Sequence, residues 1–248
     1  MRNLIGRIVF VYTAIMVAGF FILTYPILLL FIIHPRLYPL AHKYRQIWGW
    51  FLIIVCGLWP VVKYQRRLSR KKKYVFVPNH SSYLDIVTCA CLLPGTLSFM
   101  AKKELLNIPL FGIFFRTIDI PVDRKSNAGS HRAFIEAGKR LAKGMNILIF
   151  PEGTIPAHTP ELGRFKIGAF RLAIEQGAEI VPVSIPDNHN RLPDGKFMAF
   201  PGKMRMTIHR PLPTAHLNPN DAEALKDEVY RIIEEALIEK GAIPTKNV

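Results

Sequence analysis

A histidine and an aspartate stand five residues apart directly after a short hydrophobic stretch, in YVFVPNHSSYLD at 74–85. An imidazole that has one ring nitrogen held by a carboxylate can take a proton from a hydroxyl with the other. In a continuous helix, residues five apart are rotated by about 140° from each other. His80 and Asp85 can therefore meet only if His80 precedes a helix and Asp85 lies in its first turn.

The same stretch also fits a structural interpretation. Ser81 or Ser82 is a natural N-cap for a helix starting near Tyr83. Ser82 to Asp85 then resembles a capping box, in which Asp85 serves only the helix N-terminus and His80 is an ordinary loop histidine. A two-residue motif is only a hypothesis, so the spacing alone leaves both interpretations open.

An arginine closes the segment IPVDR at 120–124. The guanidinium of Arg124 could hold two phosphate oxygens at once. A surface arginine paired with Asp119 or Asp123 is the alternative that spacing alone would favour.

A glycine and a lysine further along the chain suit an anionic ligand. Gly153 ends FPEGT (150–154) and lets a ligand approach the backbone after a strand. No Gly-Lys-Ser/Thr follows, so this is not a P-loop. Lys166 lies at the start of a predicted helix, where amides and an ammonium group could bind one anion. An ordinary surface lysine is the alternative.

The elements that must position these residues alternate between strand and helix patterns. Strands are predicted at 74–77, 117–122, 146–150, 180–185 and 204–212. Helices are predicted at 83–93, 130–143, 166–176 and 221–239. This alternation predicts an α/β fold with a largely parallel central sheet covered by helices on both faces.

The charge of +15 is concentrated at one end of the chain. Residues 1–73 hold 12 of the 33 lysines and arginines and no aspartate or glutamate. Long apolar runs separate these cations, which argues against a nucleic-acid partner. Apolar runs flanked by cations favour an anionic phospholipid surface instead.

Two uncharged runs, 8–33 and 47–62, predict an N-terminal two-helix membrane-embedded element. The first run is long enough to span a bilayer, and the second is short and rich in tryptophan. Two spanning helices would leave the basic loop between them on the far side, so we expect both to lie in one leaflet. Two spanning helices remain the alternative.

We expect two segments in the chain. Residues 1–73 form a membrane anchor, which ends in the basic stretch 63–73 at the lipid headgroups, and residues 74–248 form the α/β domain with an amphipathic C-terminal helix. The three cysteines are too few for a disulfide framework. The histidines outside 74–85 show no metal-ligand spacing, so no metal or bound cofactor is expected.

Four ordered segments carry a resemblance to a known family: NHSSYLD, IPVDR, FPEGT with FKIGAF, and IVPVSI. The chain resembles the 1-acyl-sn-glycerol-3-phosphate acyltransferases (lysophosphatidic acid acyltransferases) of the glycerolipid acyltransferase superfamily. The resemblance implies transfer of a fatty acyl group to the sn-2 hydroxyl of lysophosphatidic acid, giving phosphatidic acid. The co-substrate is then an acyl thioester of acyl carrier protein or coenzyme A. A membrane-associated location at the cytoplasmic face of the inner membrane is expected.

The resemblance also implies roles for the site residues. His80 is the general base, and Asp85 holds its tautomer. The acceptor is bound by a second group of residues: Arg124, Glu152, Gly153, Thr154 and Lys166. We expect Glu152 to accept a hydrogen bond from an acceptor hydroxyl or to position Arg124 or Lys166.

Two positions depart from the family pattern and keep other functions open. Ile155 stands where many relatives have an arginine, and Arg116 stands where a glycine is more usual. The acceptor could instead be glycerol-3-phosphate, another lysophospholipid or a lyso-aminolipid. A non-catalytic membrane-tethered lipid-binding protein and a hydrolase that activates water with His80 are further alternatives.

Overall fold

The computed structural model describes residues 1–110, 112–123 and 126–245. The helices are α1 (Arg2–Ile32), α2 (Tyr38–Val55), α3 (Leu84–Leu92), α4 (Gly112–Arg116), α5 (Asn127–Ala142), α6 (Gly168–Gln176), α7 (Asn188–Arg191) and α8 (Ala222–Glu239). The strands are β1 (Leu58–Tyr64), β2 (Tyr74–Pro78), β3 (Leu97–Lys102), β4 (Ile120–Val122), β5 (Asn146–Leu148), β6 (Glu179–Ser184) and β7 (Gly202–Ile208).

The strands form one seven-stranded sheet in the order β1-β7-β6-β2-β5-β3-β4. Neighbouring strands are parallel except for β6 and β7, which are antiparallel. Helices α5, α6 and α8 pack on one face of the sheet, and α3 packs on the other. The prediction of a largely parallel sheet covered by helices is confirmed.

Strand β2 lies in the middle of the sheet, between β6 and β5. Its five residues are all buried, and a continuous apolar run of this kind is typical of a parallel strand covered on both faces. Ligands of open parallel sheets bind beyond the carboxyl ends of such strands. The segment 79–83 leaves β2 at this position and leads directly into α3.

The second apolar run is not a single helix, and the prediction fails there. Helix α2 ends at Val55, and Leu58–Tyr64 forms β1, an edge strand paired with β7. Gly57 reverses the chain with a φ of 64°, and Pro60 is incompatible with a helix interior. The sheet therefore begins before residue 73, and the division at that residue into anchor and catalytic segments stays a prediction.

The connection between α1 and α2 is also shorter than expected. Helix α2 begins at Tyr38, and Lys43 and Arg45 therefore lie within the helix rather than in a basic loop. The Arg45 guanidinium is buried and binds both oxygens of Asp119 at 2.9 Å. This contact ties α2 to the segment that leads into β4.

Helix α1 is the one described helix that is long and apolar enough to cross a membrane. Its inner side packs on α2, where Phe20 stacks on Phe51 with 4.2 Å between ring centroids. Most of its surface has no protein covering, since only 17 % of its most apolar window is buried.

Candidate active site

The β2–α3 connection brings the predicted histidine and aspartate together. His80 lies before α3, Asp85 lies in the first turn of α3, and His80 Nδ1 is 3.1 Å from Asp85 Oδ2. This is the arrangement that the spacing requires for a contact. Asn79 fixes the connection from below, because its amide exchanges two hydrogen bonds with the backbone of Ile185, just after β6.

Asp85 also binds the backbone of its own turn. Its Oδ2 accepts the N–H groups of Ser81 at 2.7 Å and Ser82 at 2.9 Å. The carboxylate therefore organises the helix N-terminus and orients the histidine at the same time. The structural and functional interpretations of this motif are compatible with each other.

The other oxygen of Asp85 accepts a hydrogen bond from Asn188, at the start of α7. Asn188 Nδ2 is 2.8 Å from Asp85 Oδ1 and 2.8 Å from Thr88 Oγ1. The Thr88 hydroxyl donates to the Leu84 carbonyl. Asn188 is fully buried. Asn188 was not predicted as a site residue; the available signal in the sequence was the polar run PDNHN directly after the β6 segment.

These contacts determine the tautomer of His80. The three other described partners of Asp85 are all N–H donors, as expected for an ionised carboxylate, which can only accept. Nδ1 of His80 must then carry the hydrogen and donate it. In the neutral imidazole, Nε2 then keeps its lone pair, which is what a general base requires.

The imidazole ring of His80 stacks on Phe150, with 4.0 Å between ring centroids and 20° between ring planes. Only 9 % of His80 is exposed. The aromatic contact and the Asp85 contact fix the ring in one orientation, at the wall of a cavity.

Glu152 links two loops of the site. Its Oε1 accepts the backbone N–H of His80 at 2.7 Å, and its Oε2 accepts that of Gly163 at 2.8 Å. Burial raises the pKa of this carboxyl to about 7, although the two amides favour its charged form. Both oxygens of Glu152 accept backbone N–H groups and so hold the His80 and Gly163 loops together, while the role of Glu152 toward the acceptor stays a prediction.

A cavity of about 170 Å³ lies beside the His80 ring and has mainly apolar walls. We call it the apolar cavity. Gly153, Thr154 and Ile155 form part of its wall. Four further side chains give it its apolar character: Ile86, Phe99, Phe114 and Phe115. Ile155, one of the two departures from the family pattern, therefore adds to the apolar wall.

A second cavity, of about 280 Å³, lies on the other side of Phe150 and Gly153, which line both. We call it the lysine cavity, because Lys166 lines it together with Ser130 and Gly168. Lys166 lies two residues before α6, as expected for a helix start. Gly153 has a φ of 77°, a conformation that favours glycine.

The remaining predicted ligand, Arg124, lies outside the described residues. The two carboxylates considered as its alternative partners have other contacts: Asp119 binds Arg45, and Asp123 lies 3.2 Å from the Lys103 ammonium. Among the described residues, no three His, Cys, Asp or Glu side chains lie together as a metal site would require.

The fold and this site define a class of protein. A sequence model of the family described as Acyltransferase matches residues 60–186, which is half of the chain. The chain belongs to this acyltransferase family. The matched region contains His80, Asp85, Arg124, Glu152 and Lys166.

Individual relatives are more specific, and they confirm the resemblance found in the sequence. The chain is 28 % identical to the human 1-acyl-sn-glycerol-3-phosphate acyltransferase beta over 210 residues, covering 80 % of this chain and 73 % of that protein. It is 31 % identical to a 1-acyl-sn-glycerol-3-phosphate acyltransferase of Chlamydomonas reinhardtii over 169 residues, 67 % of this chain and 49 % of that protein. For the Haemophilus influenzae enzyme of the same name, the identity is 34 % over 52 % of each protein.

The chain thus spans about half the length of the Chlamydomonas and Haemophilus relatives. A solved structure is similar over the whole chain: the 1-acyl-sn-glycerophosphate (LPA) acyltransferase PlsC from Thermotoga maritima. It has a TM-score of 0.79 and 23 % identity, and the match covers 99 % of this chain and 100 % of that one. This likeness shows the fold.

Proposed function

We propose that the protein transfers a fatty acyl group from a thioester donor to the sn-2 hydroxyl of lysophosphatidic acid, giving phosphatidic acid. The observation that carries the proposal is the His80 ring, held by Asp85 and presented to an apolar cavity at the end of the central strand. The names of the relatives support the acceptor.

The proposed reaction needs no covalent enzyme intermediate, because a thioester is already activated. Nε2 of His80 takes the proton of the acceptor hydroxyl as its oxygen attacks the thioester carbonyl. The carbon–sulfur bond breaks, and the leaving thiolate takes the proton from the imidazolium. Asp85 stabilises the imidazolium between these two steps. The donor is a thioester of acyl carrier protein or coenzyme A.

We assign the two cavities to two parts of the reactants. The apolar cavity suits a fatty acyl chain, and its walls exclude the water that would divert the reaction to hydrolysis. The lysine cavity suits the phosphate of the acceptor, with Lys166 as its cation. Arg124 adds a second cation in this proposal. The shared Gly153 lets both reactants approach the backbone between the cavities.

The membrane placement is part of the same proposal. We propose that the protein lies in one leaflet at the cytoplasmic face of the inner membrane. The uncovered apolar surface of α1 and the basic stretch 63–73 support this placement. The acceptor then reaches His80 without leaving the bilayer.

A related acceptor is the second candidate, because Ile155 lines the apolar cavity where many relatives have a cation. A product assay with glycerol-3-phosphate and a panel of lysolipids separates the two. Higher turnover with an acceptor other than lysophosphatidic acid would replace the first proposal with the second.

The central test is the His80→Ala variant, assayed with both thioester donors and lysophosphatidic acid. Loss of the general base should lower kcat by about 10²- to 10⁴-fold. His216→Ala, at an exposed histidine, is the matched control and should keep its activity. Turnover by His80→Ala close to that of the unsubstituted protein would remove His80 from the mechanism.

The same assay distinguishes the remaining functions. Release of free fatty acid without lysolipid-dependent product would indicate a hydrolase. Membrane binding without thioester turnover by the unsubstituted protein would indicate a lipid-binding role.

A further inference from the structure

The segment 192–201, between α7 and β7, carries an unusually exposed aromatic side chain. Phe197 is 72 % exposed and has a φ of 48°. A bulky residue rarely adopts this left-handed conformation, and such strain persists only where the surrounding structure imposes it. We call this segment the Phe197 loop.

The Phe197 loop is attached to the first turns of α1. The ring of Phe197 meets that of Phe10 edge-on, with 5.8 Å between centroids. The N–H of Ala199 donates to the Gly6 carbonyl at 3.0 Å. A Cβ atom at Gly6 would lie 2.6 Å from the Phe200 ring, so a larger residue there would displace the ring.

The same loop reaches the active site. Ser82, whose backbone N–H binds Asp85, donates its hydroxyl hydrogen to the Leu192 carbonyl at 2.7 Å. Asp194 lines the apolar cavity together with His80. The loop therefore connects the beginning of α1 with the cavity beside the histidine.

The surface around Phe197 has the composition of a lipid-facing patch. Lys196 is exposed beside Phe197, and Arg2 and Arg7 are exposed near the start of α1. The same turns of α1 also carry large apolar side chains that are more than half exposed: Leu4, Ile5, Ile8, Val11, Tyr12 and Ile15. Exposed apolar surface of this kind marks an interaction site, and the interspersed cations favour anionic headgroups.

We propose that the Phe197 loop is a second membrane contact, in which Phe197 inserts at the boundary between headgroups and acyl chains while Lys196 binds anionic headgroups. This inference rests on the proposed membrane placement of α1. Since the loop is bound to the first turns of α1, insertion of that helix brings Phe197 close to the bilayer. The contact holds the mouth of the apolar cavity against the lipid.

Depth measurement tests the proposal directly. A Cys introduced by Phe197→Cys is labelled with an environment-sensitive fluorophore, and the protein is bound to vesicles of phosphatidylglycerol and phosphatidylcholine that contain a spin-labelled quencher lipid. Ile15→Cys on the exposed side of α1 and Ala224→Cys on α8 are labelled in the same way. The unsubstituted chain, in which Cys56 and Cys89 are buried and Cys91 is partly exposed, gives the labelling background.

We expect quenching at positions 197 and 15 and none at 224. Quenching at 15 without quenching at 197 would overturn the inference and leave the membrane placement of α1 intact. Absence of quenching at both positions would overturn the membrane placement as well. Equal quenching at 197 and 224 would show non-specific adsorption and would also overturn the inference.

A functional measurement separates membrane contact from a purely structural role. Phe197→Asp should lower turnover of vesicle-embedded lysophosphatidic acid by about 10-fold relative to turnover in detergent micelles, because a charge replaces the inserted ring. Phe197→Leu, which keeps an apolar side chain, should behave like the unsubstituted protein. An unchanged ratio of vesicle to micelle turnover in Phe197→Asp would contradict the proposal.

Discussion

At the scale of single residues, the site depends on two buried carboxylates that have different surroundings. Asp85 has N–H donors at both oxygens, and one of them is the imidazole that it orients. In the described part of the chain, Glu152 accepts two backbone N–H groups, and burial raises the pKa of its carboxyl. The first carboxylate acts on the histidine ring, and the second holds the loop on which that ring is placed.

Glu152 should make the stability of the protein depend on pH. Because burial raises its pKa from 4.5 to about 7, the folded protein keeps the proton to higher pH than the unfolded chain. The contribution of this carboxyl to the free energy of unfolding therefore falls between pH 4.5 and pH 7, by about 3 kcal/mol. Glu152→Gln removes the titration and should not show this fall.

The measurement is chemical denaturation of both proteins in the same detergent at several pH values from 5 to 8. The difference in free energy of unfolding should shift in favour of Glu152→Gln as the pH rises. Glu228→Gln, at an exposed glutamate of α8, is the control and should show a constant difference. A constant difference for Glu152→Gln would show that Glu152 is ionised throughout this range.

At the scale of elements, the four-residue helix α7 lies in the connection after β6 and supplies a hydrogen-bond donor to the candidate active site. It places Asn188 under the Asp85 carboxylate, whereas Asn190 on the same helix is exposed. Asn188→Ala should lower kcat by about 10-fold with little change in the acceptor KM, because a misoriented Asp85 affects proton transfer more than binding. Asn190→Ala is the matched control.

Steady-state kinetics with varied acceptor concentration checks this prediction. A change in KM alone would place Asn188 in acceptor binding. Asn188→Ala could also lose kcat together with a lower melting temperature. If a variant destabilised elsewhere in the chain lost kcat to the same extent, the role of Asn188 would be in folding alone.

The sequence predicts the elements that carry strong local patterns. The buried run of β2 and the stripe of α8 both appear close to their predicted bounds. Edge strand β1 was missed because its apolar residues continue those of α2, and only Gly57 and Pro60 mark the change. In the site, the His80–Asp85 contact follows from local spacing. The Asn188 contact joins residues 103 apart in the chain, which no local pattern reveals.

At the scale of the protein, helix α2 and the sheet are joined by buried side-chain contacts as well as by the backbone. Arg45 of α2 contacts Asp119, the Leu97 carbonyl and the Phe99 ring. Arg45, Asp119 and Phe99 line the apolar cavity. The segment predicted to be only an anchor therefore supplies part of the cavity wall. Removing it would remove structure from the candidate active site.

The Arg45–Asp119 ion pair tests this integration. Truncating one member leaves a buried charge without its partner, so Arg45→Ala or Asp119→Ala should each lower the free energy of unfolding by about 3–5 kcal/mol. The double variant should lose clearly less than the sum of the two, because neither charge then remains buried alone. Denaturation of the four proteins in one detergent gives the coupling energy. A coupling energy near zero would show that α2 and the sheet are energetically independent, and the chain would then divide into anchor and catalytic domain as its sequence suggests.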